Sequence, residues 1–479
     1  MALLDGLPRH LFTRRGWGML AAAAAALAAA HVMGRRDLLS LAVLLFALPL
    51  VSLAGIRLVK PRFQVYREFN PSPVETSAPT TVRLAVARTG AASGRATMEE
   101  RLPPRFGESP AFRFPSRSAS GGTSRYEYHL RSAQRGQFLI GPVTAEFTDP
   151  FGLSLHRQAI DDGDTLTVTP AAVVLPLTGL AGARGNDGVT ATRIRANPSD
   201  DDVMTREYRH GDPMRRVHWA ATARHGELMV RQEESVTTPE ATIILDHRFG
   251  AFSGGSGAAP AGNAAQDGHT MISSETFEWA VVAAMSISAH LAERNYALRL
   301  LDARGEPAFL RSPSAPEPEL EEYSGASGLQ SIAESLAAIQ LTAPHHLRGD
   351  AGSRDIFGAR ELHGHQEAGP PPFDDNLMDK LSAHRMRGPV IAVLGRISAL
   401  EALSLAPAAG YGTNAFAIVV AERPAEFEDA LEKLRQGGWR AAAVAPGVSV
   451  AAAWSQFDQD LAVPELPAAE VRRGAGVAP

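Results

Sequence analysis

Two uncharged stretches near the start of the chain restrict its fold more than any other feature. Residues 16–34 and 38–56 contain no Asp, Glu, Lys or Arg. Each is long enough to cross a hydrocarbon core of about 30 Å as a helix. Inside lipid every backbone N–H and C=O must find a partner within the protein, and a helix does this within one segment. Leu, Val and Phe dominate the second stretch; the first leans on Ala and carries His31 near its end. Only Arg35-Arg36-Asp37 separates them. The pattern predicts a tight transmembrane hairpin over residues 1–60, anchored in the lipid bilayer. Positive charge sets its orientation. Arg9, Arg14 and Arg15 precede it, Arg57, Lys60, Arg62 and Arg67 follow it, and the loop holds Arg35 and Arg36. Both outer ends, and the soluble remainder, are therefore expected in the cytoplasm. The rival reading is a cleaved signal peptide with Arg14-Arg15 as its basic region, which still leaves the second stretch as an anchor.

The chain has 479 residues, too many for one ordinary core, so two or more domains are expected. A net charge of −5 argues against a nucleic-acid partner. Lys60, Lys380 and Lys433 are the only lysines, so the Arg bias reads as a compositional habit rather than a phosphate-binding device. The chain has no Cys, which excludes disulfides, thiol catalysis and Cys-based zinc sites.

From residue 61 to 170 apolar and polar residues alternate, as in Val82/Leu84/Val86, Tyr126/Tyr128/Leu130, Phe138/Ile140, Val143/Ala145/Phe147 and Leu166/Val168. Period two with Pro and Gly punctuation predicts short antiparallel strands, most economically a β-sandwich of immunoglobulin type. No cluster of titratable groups stands out in this region. Residues 171–238 read as a connector that leads into a conspicuous motif. From 239 to 463 the pattern changes to alternating strands and helices. Strands are expected at Ala241-Thr242-Ile243-Ile244-Leu245, Ala297-Leu298-Arg299-Leu300-Leu301, 389–394, 416–420 and 439–444, with helices at 276–294, 332–341 and 424–436 and at the end of the series. That alternation implies a doubly wound parallel sheet. The segments 252–268 and 345–373 read as loose insertions; His345, His346, His363 and His365 in the second do not by themselves make a metal site. Residues 464–479 read as a flexible tail.

The motif runs Tyr208-Arg209-His210-Gly211-Asp212-Pro213-Met214-Arg215-Arg216-Val217-His218-Trp219-Ala220-Ala221-Thr222-Ala223-Arg224. Gly211 permits a sharp turn, Asp212 is suited to cap a new helix, and Pro213 suits its first position. A short helix carrying Arg215, Arg216, His218 and Trp219 is expected to follow. This run resembles the signature of the DUF58 family through Tyr208, Gly211, Asp212, Arg215 or Arg216, Trp219, Thr222, Ala223 and Arg224. Arg135-Gly136-Gln137-Phe138 and Thr148-Asp149-Pro150-Phe151-Gly152-Leu153 resemble two further family segments. The resemblance implies a β-sandwich followed by a von Willebrand A-like domain, and a partner of the MoxR-type AAA+ ATPase class.

In von Willebrand A domains the first strand ends in Asp-x-Ser-x-Ser, which grips a divalent cation. Here the matching residues are Asp246-His247-Arg248-Phe249-Gly250. Asp246 survives and both hydroxyls are gone, so no metal and no cofactor is expected, and Asp246 is expected to pair with Arg248. No Walker motif is present, so the chain is not itself a motor. The resulting expectation is a membrane-anchored, non-enzymatic scaffold. Two alternatives compete with it. One is a hydrolase built on Asp212 and His218 with Thr222 as nucleophile; the other is a metal-dependent adhesion-type module. On the scaffold reading Asp212, Arg216 and Arg224 form a buried charge network beside a buried Trp219.

Overall fold

The computed structural model describes residues 12–58, 62–89, 96–114, 123–149, 151–176, 205–208, 214, 217–231, 239–252, 271–342, 371–383 and 388–459. Helices α1 (Arg14–Met33) and α2 (Arg36–Leu58) pair as a hairpin, and both are long and apolar enough to cross a membrane. Thr13 caps α1 by accepting the Gly16 N–H at 3.2 Å.

Among the described residues ten strands follow: β1 (Arg62–Asn70), β2 (Val74–Glu75), β3 (Pro79–Thr89), β4 (Ala96–Glu100), β5 (Ala111–Phe114), β6 (Thr123–Arg131), β7 (Gly136–Ile140), β8 (Val143–Thr148), β9 (Leu155–Ala159) and β10 (Asp164–Thr169). They form three sheets, ordered β1-β3-β6, β5-β4-β8-β9 and β2-β10-β7. The apolar face of β3 explains the arrangement. Val82 packs with Val74, Phe138, Ile140, Leu166 and Val168, whereas Leu84 and Val86 pack with Met98, Phe114, Val143, Ala145 and Phe147. One three-stranded sheet therefore faces two others, of four and three strands, across two adjoining cores. The alternation expected from sequence is present, but the opposing layer is divided rather than a single sheet.

The motif region contains β11 (Thr205–Glu207), α3 (Trp219–His225) and β12 (Met229–Arg231), with β11 and β12 antiparallel. The last domain runs β13 (Glu240–Leu245), α4 (Phe249–Phe252), α5 (Glu275–Ala292), β14 (Ala297–Leu301), β15 (Glu322–Tyr323), α6 (Gly325–Ala337), α7 (Asp375–Ser382), β16 (Val390–Leu394), α8 (Ala399–Leu405), β17 (Ala415–Val420), α9 (Glu428–Gln436), β18 (Arg440–Val444) and α10 (Val450–Gln459). Its sheet is ordered β15-β14-β13-β16-β17-β18, parallel except for the edge strand β15. Ile243, Leu245, Ile391, Val393 and Ile418 face α5, α6 and α10; Ile244, Ala392, Leu394, Ala417 and Val419 face α7, α8 and α9. Burial on both faces is why these strands read as continuous apolar runs. The expected helix at 332–341 instead spans α6, whose first turn, Gly325-Ala326-Ser327-Gly328, has little apolar signal.

Candidate functional site

Two of the short segments singled out in the sequence turn out to be joints. Arg135 lies in the turn between β6 and β7, and its side chain reaches into the α/β domain. Its Nε and Nη2 donate to the two Glu278 carboxylate oxygens of α5 at 2.8 and 2.9 Å. Its Nη1 donates to the carbonyls of Leu336, Ala337 and Ile339 at 2.7, 3.1 and 2.8 Å. These are carbonyls at the C-terminal end of α6, which lack helical partners and favour a cation. The arginine is 2% exposed, so the contact is a plug. Gly136 follows at φ +149, and a Cβ there would sit 3.0 Å from the Phe138 ring. Beyond β10 the chain runs on to the same helix: the Val173 N–H donates to the Ser286 hydroxyl at 2.9 Å, and Leu175 is buried in the α/β core.

The second joint attaches the β domain to the hairpin. Thr13 N donates to the Leu153 carbonyl at 3.0 Å, and Thr13 Oγ1 donates to the Gly152 carbonyl at 2.6 Å. The Ser52 and Ser154 hydroxyls lie 3.2 Å apart, both buried. A Cβ on Gly16 would lie 2.1 Å from the Leu153 carbonyl oxygen, so only glycine lets α1 approach this closely. Asp149 organises the loop. Burial alone would raise its pKa, but the Ser52 hydroxyl and the backbone N–H groups of Ser154, Leu153 and Phe151 hold it below the usual carboxylate range.

Between these joints lies a cluster that the sequence reading missed. Arg67 on β1 is fully buried and donates to Glu100, Asp161 and Asp164 at 2.5, 2.9 and 2.5 Å. Tyr128 donates to the other Glu100 oxygen at 2.5 Å. Burial alone would lower the Arg67 pKa, but Glu100 and Asp161 outweigh it and hold it above its ordinary value. The partners lie 33 to 97 residues from Arg67, so no local motif announces them. The finding also corrects the charge count at the hairpin: Arg67 is neutralised inside the β domain and is not a membrane-facing cation.

At the C-terminal edge of the parallel sheet, β13 and β16 are neighbours whose connections leave in opposite directions, the position where open α/β sheets form ligand crevices. Asp246 ends β13 there and is fully buried. Arg248 Nε and Nη2 donate to its two oxygens at 2.9 and 2.8 Å, and Arg248 Nη1 donates to Glu401 at 2.5 Å. The guanidinium also lies over the Phe373 ring, 5.3 Å from its centre. The expected Asp246–Arg248 pair is thus present, extended by Glu401 and Phe373. Burial alone would raise the Glu401 pKa, but the Ser398 N–H and Arg248 outweigh it and hold it below the usual carboxylate range. Beside them His247 Nδ1 lies 2.8 Å from the Thr342 hydroxyl and Nε2 lies 3.7 Å from Asp302. Burial pushes His247 down and Asp302 up, which favours a neutral imidazole. Among the described residues no group of three His, Cys, Asp or Glu is placed to hold a metal ion. The donor set at Asp246 does not fit a divalent cation, because a guanidinium already takes both carboxylate oxygens.

The long motif differs from expectation. Helix α3 starts at Trp219, and its cap is His218, whose Nδ1 accepts the Ala221 N–H at 3.1 Å. The reason is that Val217 bridges Val230 and His218 N donates to the Met229 carbonyl at 2.8 Å, which commits this stretch to extended backbone. Thr222 Oγ1 donates to the His218 carbonyl and accepts the Met229 N–H, both at 3.0 Å. Tyr208 is half-buried and its N–H donates to the Leu228 carbonyl at 2.8 Å. Trp219 is 66% exposed and Arg224 is exposed, so neither belongs to a buried network. Gly211, Asp212, Arg215 and Arg216 lie outside the described residues, as do His345, His346, His363 and His365.

No curated protein matches the chain. Among solved structures, a superoxide reductase (neelaredoxin) from Ignicoccus hospitalis is similar over 24% of this chain and 86% of its own, at 12% identity and a TM-score of 0.15. That likeness is too slight to bear on fold or chemistry. Residues 204–259, the segment that holds the Tyr208–Arg224 motif, match the family model described as "Protein of unknown function DUF58".

Proposed function

We propose that this protein is a membrane-anchored, non-enzymatic scaffold that holds a docking surface at a fixed height above the bilayer. On this reading the ten-strand region is an immunoglobulin-like spacer and the α/β domain is von Willebrand A-like. Its strand order and the position of Asp246 at the end of its first strand support the second assignment. The observation that carries the proposal is the Arg135 plug. A five-contact guanidinium across a domain boundary serves rigidity, not turnover. A MoxR-type AAA+ ATPase is the partner class that the family resemblance implies. The exposed Trp219 is the natural place for a partner to dock, since exposed aromatic anchors carry much of the binding energy in interfaces.

Two observations weigh against the hydrolase alternative. The His218 ring nitrogen Nδ1 is taken up in capping α3, and the Thr222 hydroxyl is held between two backbone groups. A nucleophile and its base need to face each other instead. The adhesion-type alternative loses its cation to Arg248. The test is co-purification of the full chain from detergent, with bound proteins identified by mass spectrometry. An AAA+ ATPase retained by the wild type and lost with Trp219→Ala supports the scaffold. Retention unchanged by Trp219→Ala removes the docking site, and recovery of no ATPase removes the partner class.

A further inference from the structure

Phe151 is 64% exposed, although its loop neighbours Asp149, Leu153 and Ser154 are all buried. The hairpin beside it supplies the reason. The residues after Phe151 lie against the first turn of α1, through Thr13 and Gly16, and against Ser52 of α2. Helix α1 has 20 residues. At about 1.5 Å per residue it reaches about 30 Å, which is the thickness of a hydrocarbon core. The helix has no length to spare. If it crosses the bilayer, the boundary falls at its first turn, and the loop from Phe151 to Ser154 sits at that boundary.

The loop's backbone suits such a place. The Phe151 N–H donates to Asp149 Oδ2 at 3.0 Å, and those of Leu153 and Ser154 donate to Oδ1 at 2.6 and 2.7 Å. The Gly152 N–H donates to the Asp149 carbonyl at 3.0 Å. Thr13 takes the Gly152 and Leu153 carbonyls, and the Asp149 N–H takes that of Ser154. All four N–H groups and these three carbonyls are therefore satisfied without water, as a low-dielectric surrounding demands. Phe12 and Trp17 form an edge-to-face pair with ring centres 5.5 Å apart at the same end of α1. Aromatic rings gather at this depth in membrane proteins.

We propose that Phe151 is an interfacial anchor, with its ring in the headgroup–acyl boundary of the leaflet at the base of the hairpin, so that the β domain rests on the bilayer as well as hanging from it. The occupant of this surface is bilayer lipid. The inference rests on the reading that α1 and α2 span a membrane.

The chain has no cysteine, so a single introduced Cys carries a single label. Full-length Phe151→Cys, Val43→Cys and Leu403→Cys are spin-labelled and reconstituted into vesicles of phosphatidylcholine and phosphatidylglycerol. All three positions are exposed, so labelling leaves packing intact. Relaxation by oxygen, which enters lipid, is compared with relaxation by a water-soluble nickel chelate. The expected result is that labels at 151 and 43 favour oxygen severalfold over the chelate, and that the label at 403 shows the reverse. If 43 favours oxygen and 151 behaves like 403, the anchor is overturned while the membrane reading stands. If 43 also behaves as aqueous, the membrane reading falls and takes the anchor with it.

Discussion

Arg248 and Trp219 show how much a single side chain's surroundings decide. Arg248 supplies, from within the chain, the positive charge that a fully buried Asp246 requires. Removing it leaves that carboxylate buried and unpaired, and breaking a buried pair in this way costs ~3–5 kcal/mol. Arg248→Ala should therefore lower the melting temperature clearly, while Mg²⁺ or Mn²⁺ leaves the wild-type melting temperature unchanged. A saturable rise with either ion, abolished by Asp246→Ala, would show that the carboxylate takes metal after all. Trp219 is the opposite case. Truncating a buried aromatic costs ~3–5 kcal/mol, but this ring is 66% exposed. Trp219→Ala should change stability by no more than ~0.5 kcal/mol, read by denaturant titration, so that a loss of partner binding is separable from a loss of fold. A change of several kcal/mol would mean that the ring is buried in the working protein.

Among the elements, α8 gives the clearest pH signature. Its cap is a reciprocal box: the Ser398 hydroxyl accepts the Glu401 N–H while the Glu401 carboxylate accepts the Ser398 N–H, and the same carboxylate pairs with Arg248. Glu401 is held below the usual carboxylate range, so near that range the unfolded chain binds more protons than the folded one. The stabilisation is therefore present at neutral pH and is lost as pH falls below the ordinary Glu value through the folded one. Glu401→Gln should be less stable than wild type at pH 7, with the gap closing on acidification; a gap that does not narrow would remove Glu401 from the cap's electrostatics. Elements of this kind were legible in the sequence to different degrees. β13, β14, β16 and β17 were readable because burial on both faces writes an uninterrupted apolar run. The two-residue strands β2 and β15 were not, because they are defined by a neighbour rather than by their own period. The Asp246–Arg248 pair was legible because its members are two residues apart. The Arg67 cluster and the Arg135 plug were not, because their partners are tens to hundreds of residues away. His218 was expected inside a helix, but the bridge between Val217 and Val230 holds the backbone extended there, a contact 13 residues away that no local pattern announces, so α3 begins at Trp219.

At the scale of the whole molecule, the hairpin, the β domain and the α/β domain form a series in which each junction is made of buried polar contacts. With Arg67 set aside, Arg9, Arg14, Arg15, Arg57, Lys60 and Arg62 flank the hairpin against Arg35 and Arg36 in its loop. A reporter fused after Pro479 should accordingly signal from the cytoplasm; a signal from the opposite side would reverse the orientation. The junction between the two soluble domains makes the further demand that they move together. Arg135 closes the carbonyl end of α6 and pairs with Glu278, which the Ser273 hydroxyl also contacts. Glu278 keeps some contact with water, so Arg135→Ala should cost ~3 kcal/mol, the lower end for a broken buried pair. Arg135→Lys should not restore it, because a point charge cannot pair bidentately with a carboxylate and reach three carbonyls at once. Lost stability alone would not distinguish a rigid joint from a merely packed one, so the test reads geometry. Spin labels at Leu139→Cys in β7 and Leu403→Cys in α8 sit on exposed positions of the two domains. Their distance distribution should be a single narrow peak in the full-length protein and should broaden when Arg135→Ala is added. A broad distribution with Arg135 intact would mean that the domains swing freely, and a scaffold that fixes its docking surface above the membrane could not be built from them.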